Sequence, residues 1–210
     1  MQDMDLIALI CSRLCHDLVG PVGAVGNGVE VLAEEDDPEM QKQALELLAH
    51  SADLAAHRLK FYRLAFGAAG GAGVEISLGE ARQVAADFLA DGRVDLDWPD
   101  AAVAISGLDK TAVKTLLNLI LLGAEAMPRG GTLSVAVEAD PAARLTVHGR
   151  GAGARLGDAQ AVALRTGEGP DDLQPKASPA LLVARLVANV NGALAYEHGD
   201  DEILLRAELA

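Results

Sequence analysis

His16 stands in the stretch Leu14-Cys15-His16-Asp17-Leu18-Val19-Gly20-Pro21, whose residue types suit a nucleophile presented on a helix. A neutral imidazole, with an ordinary pKa of about 6.5, offers a nitrogen lone pair near neutral pH and can attack phosphorus or take a proton. Asp17, next in the chain, is placed to orient the ring or to hold the proton on one nitrogen while the other reacts. Pro21 has no backbone N–H, so the carbonyl of Asp17 loses its helical partner and the helix should bend or loosen just beyond the histidine.

The surrounding pattern says how His16 is carried. Apolar residues recur at Leu6, Ile10, Leu14, Leu18, Val22, Val25, Val29 and Leu32, steps of three or four that mark one face of a helix from about Asp5 to Ala33. At about 100° per residue, His16 falls about 200° from Leu14 and about 160° from Leu18, so it faces away from that stripe and into solvent. Gly20 and Gly23 follow it by one and two turns, where each Gly costs about 0.5 to 1 kcal/mol relative to Ala. Close approach by another molecule would explain that cost. Pro38 suits the first turn of a second helix, which carries Ala44, Leu47, Leu48, Ala52, Ala55, Leu59, Tyr62 and Phe66 at helical spacing. Residues 1–66 then form a helical hairpin with an apolar seam. Two helices cannot enclose a core, and pairing two copies into a four-helix bundle predicts a homodimer. Arg13, Arg58, Lys60 and Arg63, with Arg150 and Arg155 further on, form a candidate basic rim steering an acidic partner surface toward His16. The ordinary role of such residues is solvation and surface pairing.

Composition narrows the class. The 210 residues fit one or two domains, and a hydrophobic fraction of 50% with only 3% aromatics requires a core of Leu, Val, Ala and Ile. A formal net charge of −14 opposes binding to a polyanion, and no basic stripe interleaves with aromatics, which argues against nucleic acid as a partner. Cys11 and Cys15, four apart on the first helix, make neither a disulfide framework nor a zinc site and read as small, partly buried apolar residues. Asp3 and Asp5 stand where a signal peptide would be basic, and the segment Ala112 to Met127 is interrupted by Lys114, Asn118 and Glu125 and too short to span a bilayer. A cytoplasmic chain with no membrane association is expected.

Gly67 to Gly73 forms a glycine-rich linker, after which the pattern changes. Residues 74–210 read as a short strand at Glu75–Ser77, a helix to about Leu89 capped by Ser77 and Glu80, strands at Arg93–Trp98 and Val103–Ser106, and a helix from Asp109 to Ala126. Strands at Leu133–Val137 and Leu145–His148, a glycine-rich loop, a helix from about Pro179 to Val190 and closing strands at Leu194–Glu197 and Ile203–Ala207 complete it. The fold class is α+β, a helical hairpin followed by an α/β sandwich with helices on one face of a mixed sheet. His50 and His57 fall seven apart on one solvated stripe, and His148 and His198 sit on strands, none with ligand partners nearby.

His16-Asp17-Leu18 followed by Pro21 resembles the phosphoacceptor box of bacterial histidine kinases, and the wider string CHDLVGPVGAVGNGVEVL resembles the ChpT-type histidine phosphotransferases of alphaproteobacteria, over the whole chain. The second half is correspondingly similar to a histidine kinase ATP-binding domain, with each nucleotide box damaged. In Leu116 to Ala124, Asn118 matches the first Asn of the asparagine box, but Leu122 or Gly123 replaces the metal-binding one, and leucine cannot ligate magnesium. Gly149 in Val147-His148-Gly149-Arg150-Gly151-Ala152-Gly153 replaces the Asp that would accept from adenine. Pro179, in Lys176-Ala177-Ser178-Pro179, hinders the backbone approach that phosphates need. The glycine string by itself reads as a turn, since it lacks the Lys-Ser/Thr sequel of a P-loop.

The resemblance implies a phosphorelay histidine phosphotransferase that binds no ATP and no cofactor. His16 would take a phosphoryl group from the receiver domain of a hybrid histidine kinase and pass it to response regulators of the CtrA and CpdR types, with Mg²⁺ supplied by the receiver. The other readings of the same residues are an ATP-dependent histidine kinase using His16 and a non-enzymatic dimeric scaffold that inhibits a kinase.

Overall fold

The acidic turn at 35–37 is where the chain reverses. In a computed structural model describing residues 3–67, 76–105, 108–140, 142–169 and 174–210, helix α1 (Asp3–Glu34) runs into this turn and α2 (Pro38–Ala65) leaves it. Asp37 caps α2 by accepting from the Glu39 amide at 3.0 Å, and Pro38, lacking an N–H, occupies the first turn. The two helices pack as an antiparallel pair. A Cβ on Gly28 would lie 2.7 Å from Leu48 Cγ, so glycine permits their close approach there.

The hairpin does not close over its own seam. Leu6 and Ala44 are buried and Ile10, Leu14, Leu18 and Val25 partly so, but Val22, Val29, Leu47 and Leu59 are exposed. Among the described residues, the large exposed hydrophobics all lie on α1 or α2. Cys11 and Cys15 are exposed as well, against the expectation of partial burial, because no other described element covers that side of α1. By length and hydropathy α1 is also long and apolar enough to cross a bilayer, a property that its spaced apolar stripe does not suggest. Its middle, however, carries an ion-pair network that hydrocarbon would penalise.

Beyond the hairpin, Ser77 accepts from the Glu80 amide at 3.1 Å and starts α3 (Leu78–Leu89). Ile76 and Ser77 therefore lead into a helix and form no strand; Glu75 and the predicted linker after Gly67 lie outside the described residues. Strand β1 (Val94–Asp97) follows, then the short helix α4 (Asp100–Val103); of the strand expected at Val103–Ser106, Val103 ends this helix, Ala104 and Ile105 are in no strand, and Ser106 lies outside the described residues. Asp100 after Pro99 initiates a turn of helix there, and the brief apolar run at 102–105 fits either period. Asp109 caps α5 (Lys110–Glu125), and β2 (Gly131–Glu138) and β3 (Ala143–Arg150) form a hairpin. Helix α6 (Asp158–Thr166) is not predicted by the sequence pattern; it fills part of the expected glycine-rich loop and ends on Gly167 at φ +67°. A 3₁₀ turn at Pro175–Ala177 leads into α7 (Ser178–Asn189), then β4 (Ala193–Gly199) and β5 (Glu202–Leu209).

The sheet order is β1-β2-β3-β5-β4, parallel between β1 and β2 and antiparallel elsewhere, the mixed sheet of the α+β class expected. Helix α5 is its centre. Leu116, Leu117, Leu119, Ile120 and Leu122 are fully buried because the sheet packs on one side and Phe61, Leu64 and Ala65 of α2 on another. The core thus continues into the end of the hairpin and sets where α1 lies relative to α5.

Candidate functional site: His16 and the Asp17 cluster

His16 projects from the middle of α1 with its side chain 83% exposed, as the periodicity predicts. Its Nδ1 lies 2.9 Å from Asp17 Oδ1. The other oxygen, Oδ2, accepts from Arg13 Nε at 2.5 Å and from the Tyr62 hydroxyl. Burial pushes the Asp17 carboxyl up, but hydrogen bonds from Tyr62, His16 and Arg13 outweigh it and hold the group below the usual carboxylate range. An ionised carboxylate can only accept, which makes Nδ1 the donor and leaves Nε2 of the neutral ring with its lone pair toward solvent. Both roles open to Asp17 in the sequence, orienting the ring and holding the proton on one nitrogen while the other reacts, fit this geometry.

The carbonyl that Pro21 leaves without an N–H finds another donor. Arg58 on α2 donates through Nη1 to the Asp17 oxygen. Helix α1 runs unbroken through Pro21, which is buried. Asp17 is thereby gripped at both its carboxylate and its backbone by α1 and α2.

Arg13 is no part of a basic rim. It is only 8% exposed, and its Nη2 donates to Glu125 Oε1 at the end of α5. Glu125 in turn accepts through Oε2 from Gln160 Nε2 at 2.8 Å. Burial disfavours the charge on Arg13, but the Glu125 carboxylate together with the hydrogen bonds to Asp17 and Glu125 outweighs this and raises its pKa. Tyr62, placed by its spacing in an apolar seam, is buried at 2% exposure with its ring against Phe61, Phe66 and Phe88 and its hydroxyl on Asp17. Its pKa is driven upward, first by burial and, against the charge on Arg13, by the bond to Asp17, so it stays a donor.

Lys60, Arg63, Arg150 and Arg155 are exposed, and Arg58 is half-buried. Arg155 lies beside the end of α5, its amide bonded to the Ala126 carbonyl at 2.9 Å, whereas Arg150 stands at the end of β3 near Glu202. Gly20 and Gly23 have open space where a Cβ would be, with nothing within 4 Å. Sequence reasoning does not find Tyr62, Glu125 and Gln160 as site residues. Only the Arg13–Asp17 pair leaves a local signal, charges of opposite sign at i and i+4.

The residues compared with nucleotide boxes have structural occupations. Asn118 is fully buried and donates from Nδ2 to the Ala65 and Lys114 carbonyls, both at 2.9 Å, tying α2 to α5. Leu122 is buried, and a Cβ on Gly123 would lie 2.7 Å from Leu133 Cδ1, so the helix presses on the sheet there.

Comparison with known proteins gives this arrangement its class. A family model described as Histidine phosphotransferase C-terminal domain matches residues 78–202. Protein phosphotransferase ChpT of Brucella abortus (strain 2308) is 46% identical over 153 residues, covering 71% of this chain and 70% of that protein. A solved structure of a bacterial phosphotransferase superposes with a TM-score of 0.84 at 32% identity, covering 99% of this chain and 98% of the other. The protein is accordingly a phosphotransferase of α+β fold. Within that class the chain belongs to the ChpT-type histidine phosphotransferase family.

Proposed function

We propose that this protein is a phosphorelay shuttle in which His16 accepts a phosphoryl group from the receiver aspartate of a hybrid histidine kinase and delivers it to response regulators of the CtrA and CpdR types. The observation that carries the reading is the exposed His16 ring held through Nδ1 by Asp17, with Nε2 open to a partner. Nε2 gives its lone pair to the phosphorus of the receiver's aspartyl phosphate. The N–P bond forms as the acyl O–P bond breaks, and the electron pair leaves with the receiver's carboxylate. The positive charge gained by the ring sits beside ionised Asp17. A second receiver reverses the step.

Phosphoryl transfer needs positioning and charge neutralisation more than covalent chemistry by the protein. The receiver's acidic pocket brings its own Mg²⁺, so this chain contributes no metal and no cofactor. Leu122 and Gly149 in the place of nucleotide-binding side chains support a protein that binds no ATP. Open space at Gly20 and Gly23, and the cations Arg58, Lys60, Arg63, Arg150 and Arg155, support docking of an acidic receiver. The exposed apolar faces of α1 and α2, including Val22, Val29 and Leu59, support a homodimeric four-helix bundle. The net charge of −14 and the ionic network in α1 support a soluble cytoplasmic protein with neither nucleic acid nor membrane as partner.

Reconstitution with a phosphorylated receiver domain tests the reading. Phosphate is expected to move onto the wild type and not onto His16→Ala, with no ATP binding in parallel calorimetry. Transfer to neither protein across several receivers would favour a scaffold, and labelling from ATP alone would favour a kinase.

A further inference from the structure

Arg13 divides its guanidinium between two carboxylates of different elements. Nε faces Asp17 Oδ2 at 2.5 Å, and Nη2 faces Glu125 Oε1. The Glu125 side chain is 11% exposed and Gln160 6% exposed. Gln160, in the first turn of α6, donates to Glu125 at 2.8 Å and to the Lys176 carbonyl at 3.3 Å, and its Oε1 accepts from the Gly157 amide at 3.1 Å. A chain of buried polar groups therefore runs from the second half of the fold to the carboxylate under His16. Stability alone does not call for it, because replacing a buried ion pair by apolar side chains is often neutral or favourable.

The geometry of the fork supplies another reason. Arginine prefers to bind a carboxylate through two parallel N–H···O bonds. If Nη2 were free, the guanidinium would turn to take both oxygens of Asp17, including Oδ1, the oxygen that His16 Nδ1 uses. Glu125 occupies Nη2 and is itself held by Gln160. Asp17 Oδ1 is left to His16.

We propose that Glu125, held by Gln160, is a positioning residue for phosphotransfer, engaging Arg13 so that Asp17 keeps one oxygen for the His16 ring. The inference rests on the role proposed above for His16, and it assigns the second half of the fold a part in the chemistry without a nucleotide. Glu125 touches neither the phosphoryl group nor the ring.

The test is Glu125→Gln in the full chain, with Gln160→Met as a second variant that removes the amide donor at similar side-chain length. Circular dichroism and thermal melting establish folding. NMR of isotope-labelled ring nitrogens reads which His16 nitrogen carries the proton in the neutral ring, and stopped-flow or quench transfer from a phosphorylated receiver reads the rate. The wild type is expected to hold its proton on Nδ1. In folded Glu125→Gln the proton should distribute over both nitrogens and transfer should slow roughly tenfold or more; Gln160→Met should move both readouts the same way by less. A folded Glu125→Gln with the wild-type ring signature overturns the proposal, and should that variant fail to fold, the ring signature of Gln160→Met decides it. If the wild type takes no phosphate from any receiver, the phosphorelay reading fails, whereas the ring-nitrogen spectra of the same proteins still confirm or overturn the positioning role.

Discussion

Arg58 on α2 donates to the backbone carbonyl of Asp17 on α1, the oxygen that a proline four residues later leaves without a helical partner. The defect in one helix is satisfied by the other, so the residue beside His16 is tied across the hairpin. Removing the Arg58 head group orphans this partly buried carbonyl, and Arg58→Leu should cost about 1 to 2 kcal/mol in urea unfolding. Restoring the amide with Pro21→Ala gives the carbonyl its helical donor again. Arg58→Leu should therefore cost less in the Pro21→Ala background, with a coupling of about 1 kcal/mol in a double-mutant cycle. Additive effects would show that Arg58 does not compensate for Pro21.

Tyr62→Phe keeps the aromatic stack and deletes one hydrogen bond to Asp17. Bonds to ionised groups contribute about 1.5 to 3 kcal/mol, which is the expected loss near neutral pH. Burial raises the Asp17 pKa, and the bonds from Tyr62, His16 and Arg13 more than reverse this, so the folded value lies below the unfolded one. The stabilisation is complete above the ordinary carboxylate pKa of about 3.9 and is lost as pH falls through the folded value. The deficit of Tyr62→Phe should accordingly be full at neutral pH and shrink in acid, as urea midpoints across a pH series would read. A deficit independent of pH would mean that packing, not the bond to Asp17, sets it.

A Cβ on Gly20 would have nothing within 4 Å outside its own helix backbone among the described residues. Gly20→Ala should stabilise the helix by about 0.5 to 1 kcal/mol, since only propensity changes. Gly20→Trp should leave the melting temperature near that of the wild type and slow transfer from a receiver by tenfold or more through steric exclusion of the partner. Transfer at the wild-type rate would show that receivers do not approach over this face.

Val29 on α1 lies thirteen residues beyond His16, about 20 Å along the helix at 1.5 Å per residue, and is 55% exposed. If the chain forms the proposed homodimer, Val29→Glu puts a charge into its apolar face and should convert it to a monomer in sedimentation equilibrium while the helical content stays unchanged. A monomeric wild type would sink the dimer.

Local chemistry is legible in the chain itself. Asp37-Pro38, Ser77 with Glu80, and Asp109 each mark a helix start because a cap is made by residues two or three apart. His16 faces outward and Asp17 stands beside it for the same reason, a helical period acting over a few residues. Helix α6 escapes such reasoning because nine residues between glycines carry little periodicity, although Gly167 at its end is a signal. The run at 102–105 misleads because an apolar stretch that short has no period of its own.

What the chain determined by itself is a phosphoacceptor-like histidine on an amphipathic hairpin ahead of a mixed α+β domain, since periodicity, caps and motif spacing are properties of neighbours. Only the tertiary structure decided what surrounds Asp17. Arg13 reads as surface charge in the sequence and becomes a buried link to Glu125, and Tyr62 reads as seam and becomes a donor. Those partners lie 112 and 45 positions away in the chain. They meet because the core around α5 extends to the end of α2 and fixes α1 against it. A buried charge is stable only where folding brings it a partner, and no local pattern records which partner that is.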